Sequence, residues 1–269
     1  HYLQETPADA VFILGDLFEV WVGDDVVSAD FHAHPQASFE NRCASALSLA
    51  ARQRALFFMQ GNRDFLVGPA LMALCNATLL DDPTVLTFSS QRWLLSHGDA
   101  LCLDDTDYME FRQQVRSAEW QQAFLAKPLL ERQAIASEIR RQSEARKQSS
   151  QDYADVDAAA ARQWLQAATA HTLIHGHTHK PAVHDLGGGF SRVVLSDWDA
   201  QAVVPRADVL RLTARGLQRI ALLPTCAKRH ARLAQNPASP SGRPAQGHSR
   251  SAVAAHAAAL PFPGPSFNG

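Results

Sequence analysis

Four short apolar runs in this chain each break off into side chains that suit metals and phosphates, and that repetition constrains the fold more than any other feature. Val11–Leu14 leads into Gly15-Asp16, and Ala55–Met59 into Gly61-Asn62-Arg63-Asp64. Trp93–Ser96 leads into His97-Gly98-Asp99, and Thr172–Ile174 into His175-Gly176-His177-Thr178-His179. Apolar runs of this length bounded by turn residues suit strands buried on both faces. Loops at the carboxyl ends of such strands open onto one crevice, so residues distant in sequence can meet there. The glycine beside each polar residue suits a tight turn or a close backbone approach.

Val85–Phe88 and Arg192–Leu195 read as further strands. Residues 39–54 carry a helical stripe of Ala46, Leu47, Leu49 and Ala50. Strands alternating with helices predict a layered α/β core, and "VLTFSSQRWLLS" predicts a hairpin, hence mixed sheets. Residues 105–169 read as a helical insertion that Pro128 interrupts. From residue 227 to 269 the chain is dominated by Ala, Pro, Ser and Gly, which predicts a disordered tail after one domain at 1–226.

Composition excludes several classes. A net charge of −2 gives no basic field for nucleic acid. The four cysteines are scattered, as in free thiols of a reducing compartment, and form no thiolate zinc site. No apolar run approaches the roughly 18 residues a membrane span needs, so a cytosolic protein with room for peripheral membrane contact is expected.

The donors are carboxylate, amide oxygen and imidazole without thiolate, a set that suits Mn²⁺, Fe or Zn. A lone Gly-Asp or His-Gly is an ordinary turn; four such endings in order, each after a strand, predict a metal site. Two metals about 3.5–4 Å apart could share a carboxylate such as Asp16 and polarise a phosphoryl group.

The order GD, GNRD, HGD, GHTH resembles the signature of the calcineurin-like metallophosphoesterases, which runs D-x-H, G-D, G-N-H/R-D, H-G and G-H-x-H. Within that superfamily, "ILGDLFEVWVGDD", "GNRDFL", "HGDALCLDD" and "IHGHTHKPAVH" are similar to the UDP-2,3-diacylglucosamine pyrophosphatases of lipid A biosynthesis. The resemblance covers roughly residues 8–224. It implies a four-layer α/β/β/α sandwich with a helical lid, a two-metal Mn²⁺ site, and hydrolysis of a glycolipid-nucleotide diphosphate. It also implies a place on the cytoplasmic face of a Gram-negative inner membrane. Carried over, the metal ligands fall on Asp16, Asn62, His97, His175 and His177, with Asn62, Arg63 and His175 catalytic. Substrate contacts fall on Asn62, Arg63, Asp105, Tyr108, Arg140, Ser143, Lys147 and His175. Asp64 and Asp99 are expected to orient ligands. His179 stays open between that role and a turn cap, and His171 and His184 are expected to be structural or solvent-facing.

The family's D-x-H would lie about thirty residues before Asp16, upstream of His1. A chain that opens without Met on "HYLQETPADA" reads as a fragment or a mis-set start. One strand and part of one metal's ligand set are therefore expected to be missing. Trp120, Phe124, Leu125, Leu129 and Leu130, interleaved with Arg112, Arg116, Lys127, Arg132, Arg140 and Arg141, could form an acyl-binding, membrane-touching lid. Two rivals stand beside this reading: a nucleotide or dinucleoside polyphosphate hydrolase of the same fold, and an inactive binding module lacking the first motif.

Overall fold

The computed structural model describes residues 1–34, 36–149, 155–223 and 256–259, with the side chains of 142–149 and 256–259 outside the described set. In chain order the elements are α1 (Tyr2–Glu5), β1 (Ala10–Leu14), α2 (Phe39–Ala51), β2 (Ala55–Met59), α3 (Pro69–Cys75), β3 (Thr78–Leu80), β4 (Thr84–Phe88) and β5 (Gln91–Ser96). Then come α4 (Thr106–Val115), α5 (Ala118–Leu125), α6 (Leu129–Ser149), α7 (Ala158–Ala167), β6 (Thr172–His175), β7 (Val183–Gly187), β8 (Phe190–Val194), β9 (Asp208–Thr213), β10 (Gly216–Ala221) and β11 (His256–Ala259).

One sheet is parallel, ordered β1-β2-β3, and the second is mixed, ordered β11-β4-β5-β6-β8-β7; β9 and β10 pair as a separate hairpin. Successive side chains on a strand point to opposite faces, and that alternation builds the layers. On β1 and β2, Val11, Ile13, Leu56 and Phe58 face the cluster that includes Ala44 and Leu47 of α2 and Leu71 of α3. Their neighbours Phe12, Leu14, Phe57 and Met59 face inward and meet Leu86, Trp93, Leu95 and Ile174 of the second sheet. The far side of that sheet, through Val85, Leu94 and Leu173, packs on Ala161 and Leu165 of α7. The result is α/β/β/α. Leu94, Leu165 and Leu173 are fully buried, each contributing roughly 1.5–3 kcal/mol of burial free energy.

Side-chain caps start α2 (Ser38), α4 (Asp105), α5 (Ser117) and α7 (Asp157), which supply acceptors for otherwise unpaired amides. The predicted hairpin is β4–β5, turning through Ser89 and Ser90 at positive φ. Pro128 lies just before α6, where its missing amide does no harm.

The insertion divides in two. Helices α4 to α6 form the lid, whereas α7 is the outer layer of the sandwich. Within the lid, Phe124 is buried, and Trp120 and Leu129 pack on the α2–α3 cluster. Leu125 (42% exposed) and Leu130 (80%) face outward. Arg112, Arg116 and Arg132 also turn to the body, so the expected basic, membrane-facing set is reduced. The predicted tail falls outside the described residues except for 256–259, which pair with β4.

Candidate active site between the sheet ends

The carboxyl ends of β1, β2, β5 and β6 converge. Gly15 (φ 83°) and Gly61 let the first two meet: a Cβ on Gly15 would stand 2.5 Å from the Gly61 Cα, and one on Gly61 would stand 2.2 Å from Asp16 Oδ1. Asp64, fully buried, clamps this approach by accepting from the amides of Gly61 (2.7 Å), Asp16 (3.1 Å) and Leu17 (2.8 Å). Burial, with the Asp16 charge beside it, pushes the Asp64 carboxyl up to about 6.

Asp16 itself sits at φ 55°, and its Oδ1 accepts from the Arg63 amide at 2.9 Å. Its Oδ2 lies 3.6 Å from Arg63 Nε and 3.7 Å from His97 Nε2. His97 is buried; its Nδ1 lies 2.8 Å from the Leu14 carbonyl and its Nε2 3.0 Å from Asn62 Oδ1. His177 Nδ1 lies 2.9 Å from the same Asn62 oxygen. With acceptors at both nitrogens, His97 is placed as a double donor. Burial opposes a charge there, but Asp16 and Asp99 outweigh it and the pKa is raised. Burial and the neighbouring His97 hold His177 down to about 3. Among the described residues, Asp16, His97 and His177 form a group that could hold a metal ion, their ligating atoms within 4.8 Å of one another. Two imidazoles converging on one amide oxygen beside a carboxylate is a hard oxygen-and-nitrogen donor set, and it fits such an ion.

His175 is not part of that group. On β6, Ile174 faces the inter-sheet core, so Leu173 and His175 face α7. There His175 is fully buried, its Nδ1 lying 2.9 Å from the Gly176 carbonyl and its Nε2 3.4 Å from Arg192 Nη1. A ring nitrogen turned to a guanidinium is not available to a cation. Burial lowers its pKa to about 4. The expectation of His175 as a ligand is corrected on this ground. Laying G-H-x-H on Gly176-His177-Thr178-His179 selects His177 and His179 instead, both at positive φ in the turn.

The lid reaches the site through α4. Tyr108 Oη donates to Asp99 Oδ2 at 2.6 Å while its ring stacks on His177 at 5.8 Å. Arg112 Nε donates to the same Asp99 oxygen at 2.9 Å. Arg116 donates to the Gly61 carbonyl at 2.9 Å and to Gln60 Oε1 at 3.1 Å. Asp99 is fully buried, and despite that burial the charges of His97, Arg112 and Arg116 hold its carboxyl well below the usual range. Asp105 caps α4, accepting from the Tyr108 amide at 3.1 Å. Arg63 and Arg140 both contact Glu19, which lies within "ILGDLFEVWVGDD" but carries no expected role there. The side chains of Ser143 and Lys147 lie outside the described residues. His171 stacks on Phe190 and His184 stands on β7, both away from the site.

The class follows from where these donors lie: an α/β/β/α sandwich that gathers oxygen and imidazole donors at its strand ends is built as a metallophosphoesterase. No protein-family model matches the chain. It is 51% identical over 191 residues to the UDP-2,3-diacylglucosamine hydrolase of Chromobacterium violaceum, covering 70% of this chain and 76% of that one. Enzymes of the same name from Chromohalobacter salexigens (42% over 196 residues, 71% and 76% covered) and Aromatoleum aromaticum (44% over 204 residues, 74% and 80%) are also similar. The chain belongs to the UDP-2,3-diacylglucosamine hydrolase family. A solved structure of an archaeal phosphodiesterase is similar at 10% identity and a TM-score of 0.35 over 70% of this chain and 79% of that one.

Proposed function

We propose that this chain hydrolyses the diphosphate of UDP-2,3-diacylglucosamine to UMP and 2,3-diacylglucosamine 1-phosphate. The convergence of His97 and His177 on Asn62 Oδ1 beside Asp16 carries the reading, with the Arg63 guanidinium alongside. Asp16, Asn62, His97 and His177, with His179 from the same turn, would hold Mn²⁺. Bound there, the metal supplies Lewis acidity and a water of lowered pKa. Arg63, 3.6 Å from Asp16 Oδ2, stands where a planar, bidentate cation can take a phosphate oxygen. Arg140 brings a second guanidinium from the lid to the same carboxylate that holds Arg63. Tyr108, stacked on His177, lines one side of the crevice.

A substrate with two acyl chains comes from a lipid surface. Among the described residues no helix is long and apolar enough to cross a membrane. Leu125 and Leu130 of the lid, and Trp198, Val203 and Val204 of the loop after β8, are exposed and supply apolar contact for a peripheral association with the inner membrane.

The test is UMP release from UDP-2,3-diacylglucosamine by metal-stripped protein with and without added Mn²⁺. Mn²⁺-dependent release is expected. Activity that survives stripping would overturn the metal assignment. Turnover of a soluble dinucleoside polyphosphate with none of the acylated substrate would favour the nucleotide-hydrolase alternative.

A further inference from the structure

A second polar cluster lies behind the site, on the α7 side of the mixed sheet, and the hydrolytic reading leaves it without a task. Arg192 on β8 is in register with Leu173 of β6 and is almost wholly buried. A buried guanidinium requires an anion and acceptors for its donors. Asp155 supplies both, with its two oxygens each 2.8 Å from a guanidinium nitrogen. The third neighbour is His175 Nε2, 3.4 Å from Arg192 Nη1.

The chemistry of that contact is directional. A guanidinium only donates, so Nε2 must be the lone-pair nitrogen and the ring proton must sit on Nδ1. Nδ1 lies 2.9 Å from the Gly176 carbonyl, to which it donates. The same carbonyl accepts from the Thr178 amide at 2.7 Å, and the Gly176 amide donates to the His97 carbonyl at 2.9 Å. Gly176 is therefore held at both its amide and its carbonyl. The next residue, His177, occupies the left-handed region at φ 60°, from which its ring reaches Asn62. Gly98 completes the seat: a Cβ there would stand 2.8 Å from His175 Nδ1, so only glycine leaves room for the ring.

We propose that Arg192 is a positioning residue for the metal-holding turn: it fixes His175 as the Nδ1–H tautomer, His175 pins the Gly176 carbonyl, and the pinned turn aims His177. Asp155 is anchored in turn: two residues later the Asp157 amide donates at 2.8 Å to the carbonyl of Leu101, in the 3-10 turn that leads from His97 to α4. The inference rests on the proposed metal site only for its last link, from the turn to His177.

The experiment reads the two links separately. Nitrogen NMR of the metal-free protein reports the tautomer of His175, and calorimetric titration with Mn²⁺ alone reports the aim of the ligands. The wild type should show a single Nδ1–H tautomer. Arg192→Met should show a mixture and bind Mn²⁺ about tenfold more weakly, the size of effect expected when a group orienting a ligand is removed. Asp155→Asn should move both readouts in the same direction and by less. At His175, Asn keeps a donor near the Nδ1 position and Gln does not, so His175→Asn should bind Mn²⁺ more tightly than His175→Gln. A merely structural role would lower stability in all four variants without ranking them this way. An unchanged tautomer in Arg192→Met overturns the first link, and unchanged Mn²⁺ affinity with an altered tautomer overturns the second. If Arg192→Met does not fold, Arg192→Lys and Asp155→Asn answer the same two questions. A wild-type protein that binds no Mn²⁺ would sink the proposed function, while the tautomer still decides the first link.

Discussion

Arg63, from the loop after β2, and Arg140, from lid helix α6, meet on one oxygen of Glu19. Arg63 is proposed to take substrate phosphate and Arg140 to contact substrate, so the carboxylate between them competes with the substrate for the same donors. Glu19 is 64% exposed on its side chain, and its loss costs little stability. In Glu19→Gln, KM should fall roughly two- to fivefold, the range that an exposed pair of about 0.5–1 kcal/mol supports, with kcat little changed. Steady-state kinetics decide it; a raised KM would mean that Glu19 holds the lid in its working place.

The two glycine hinges at the strand ends differ sharply from those in the β7–β8 turn. Gly15→Ala meets the Gly61 backbone at 2.5 Å at a φ of 83°, while Gly189, at φ 81°, has open space around its missing Cβ. Gly15→Ala should cost roughly 2–5 kcal/mol and abolish metal binding, whereas Gly189→Ala should cost roughly 1–2 kcal/mol and leave the site intact. Denaturant unfolding and Mn²⁺ titration of the pair provide the comparison.

The Asp155–Arg192 pair gives a pH signature. Its hydrogen bonds to Arg192 lower Asp155 from 3.8 to about 2. A carboxyl whose pKa is depressed on folding stabilises the native state above its unfolded pKa and loses that contribution as pH falls through the folded value. The stability gap between wild type and Asp155→Asn should therefore stay flat at neutral pH and narrow between about pH 4 and pH 2. The change should be about 1 kcal/mol once solvent screening of the partly exposed Asp155 is allowed for. A gap that narrows at higher pH would reassign the titrating group.

Burial pushes the thiols of Cys75 and Cys102 up to about 12. Almost none of either is thiolate at pH 8, so a maleimide or iodoacetamide should leave both unmodified in the native protein and label both after denaturation. Peptide mapping by mass spectrometry reads the result for each cysteine. Fast native labelling of Cys75 would show that the α2–α3 layer opens readily.

Six strands, β1, β2, β4, β5, β6 and β8, and the four polar endings were legible in sequence because each is a local pattern: a short apolar run, the endings then adding Gly with a donor. The strands β3, β7, β9, β10 and β11 were not expected. What the local pattern does not carry is facing. His175 and His177 share one motif, yet strand alternation commits His175 to the α7 side, and only the turn at Gly176 brings His177 back to Asn62. In register, G-H-x-H begins at Gly176, one residue past the end of β6, and falls on His177 and His179, while His175 belongs to the strand. The lid was legible as helices but not as a set of contacts. Arg112 and Arg116 look like surface cations on a helix, and only the tertiary fold turns them to buried Asp99 and the Gly61 carbonyl. Arg192 had no signal at all in a strand that reads as apolar. Asp155 finds its partner 37 residues away, beyond the reach of any local pattern.

The hydrogen bond from the Asp157 amide to the Leu101 carbonyl joins the points where the chain leaves the sandwich and re-enters it. An excursion whose two ends already touch places no demand on the spacing of β5 and β6, which pair directly. Such an insert can be lengthened, shortened or replaced while the strands beneath it keep their register. The outer helices of the insert can therefore change without moving β5 or β6, while α4, tied to Asp99 and to the Gly61 carbonyl, stays with the site beneath it.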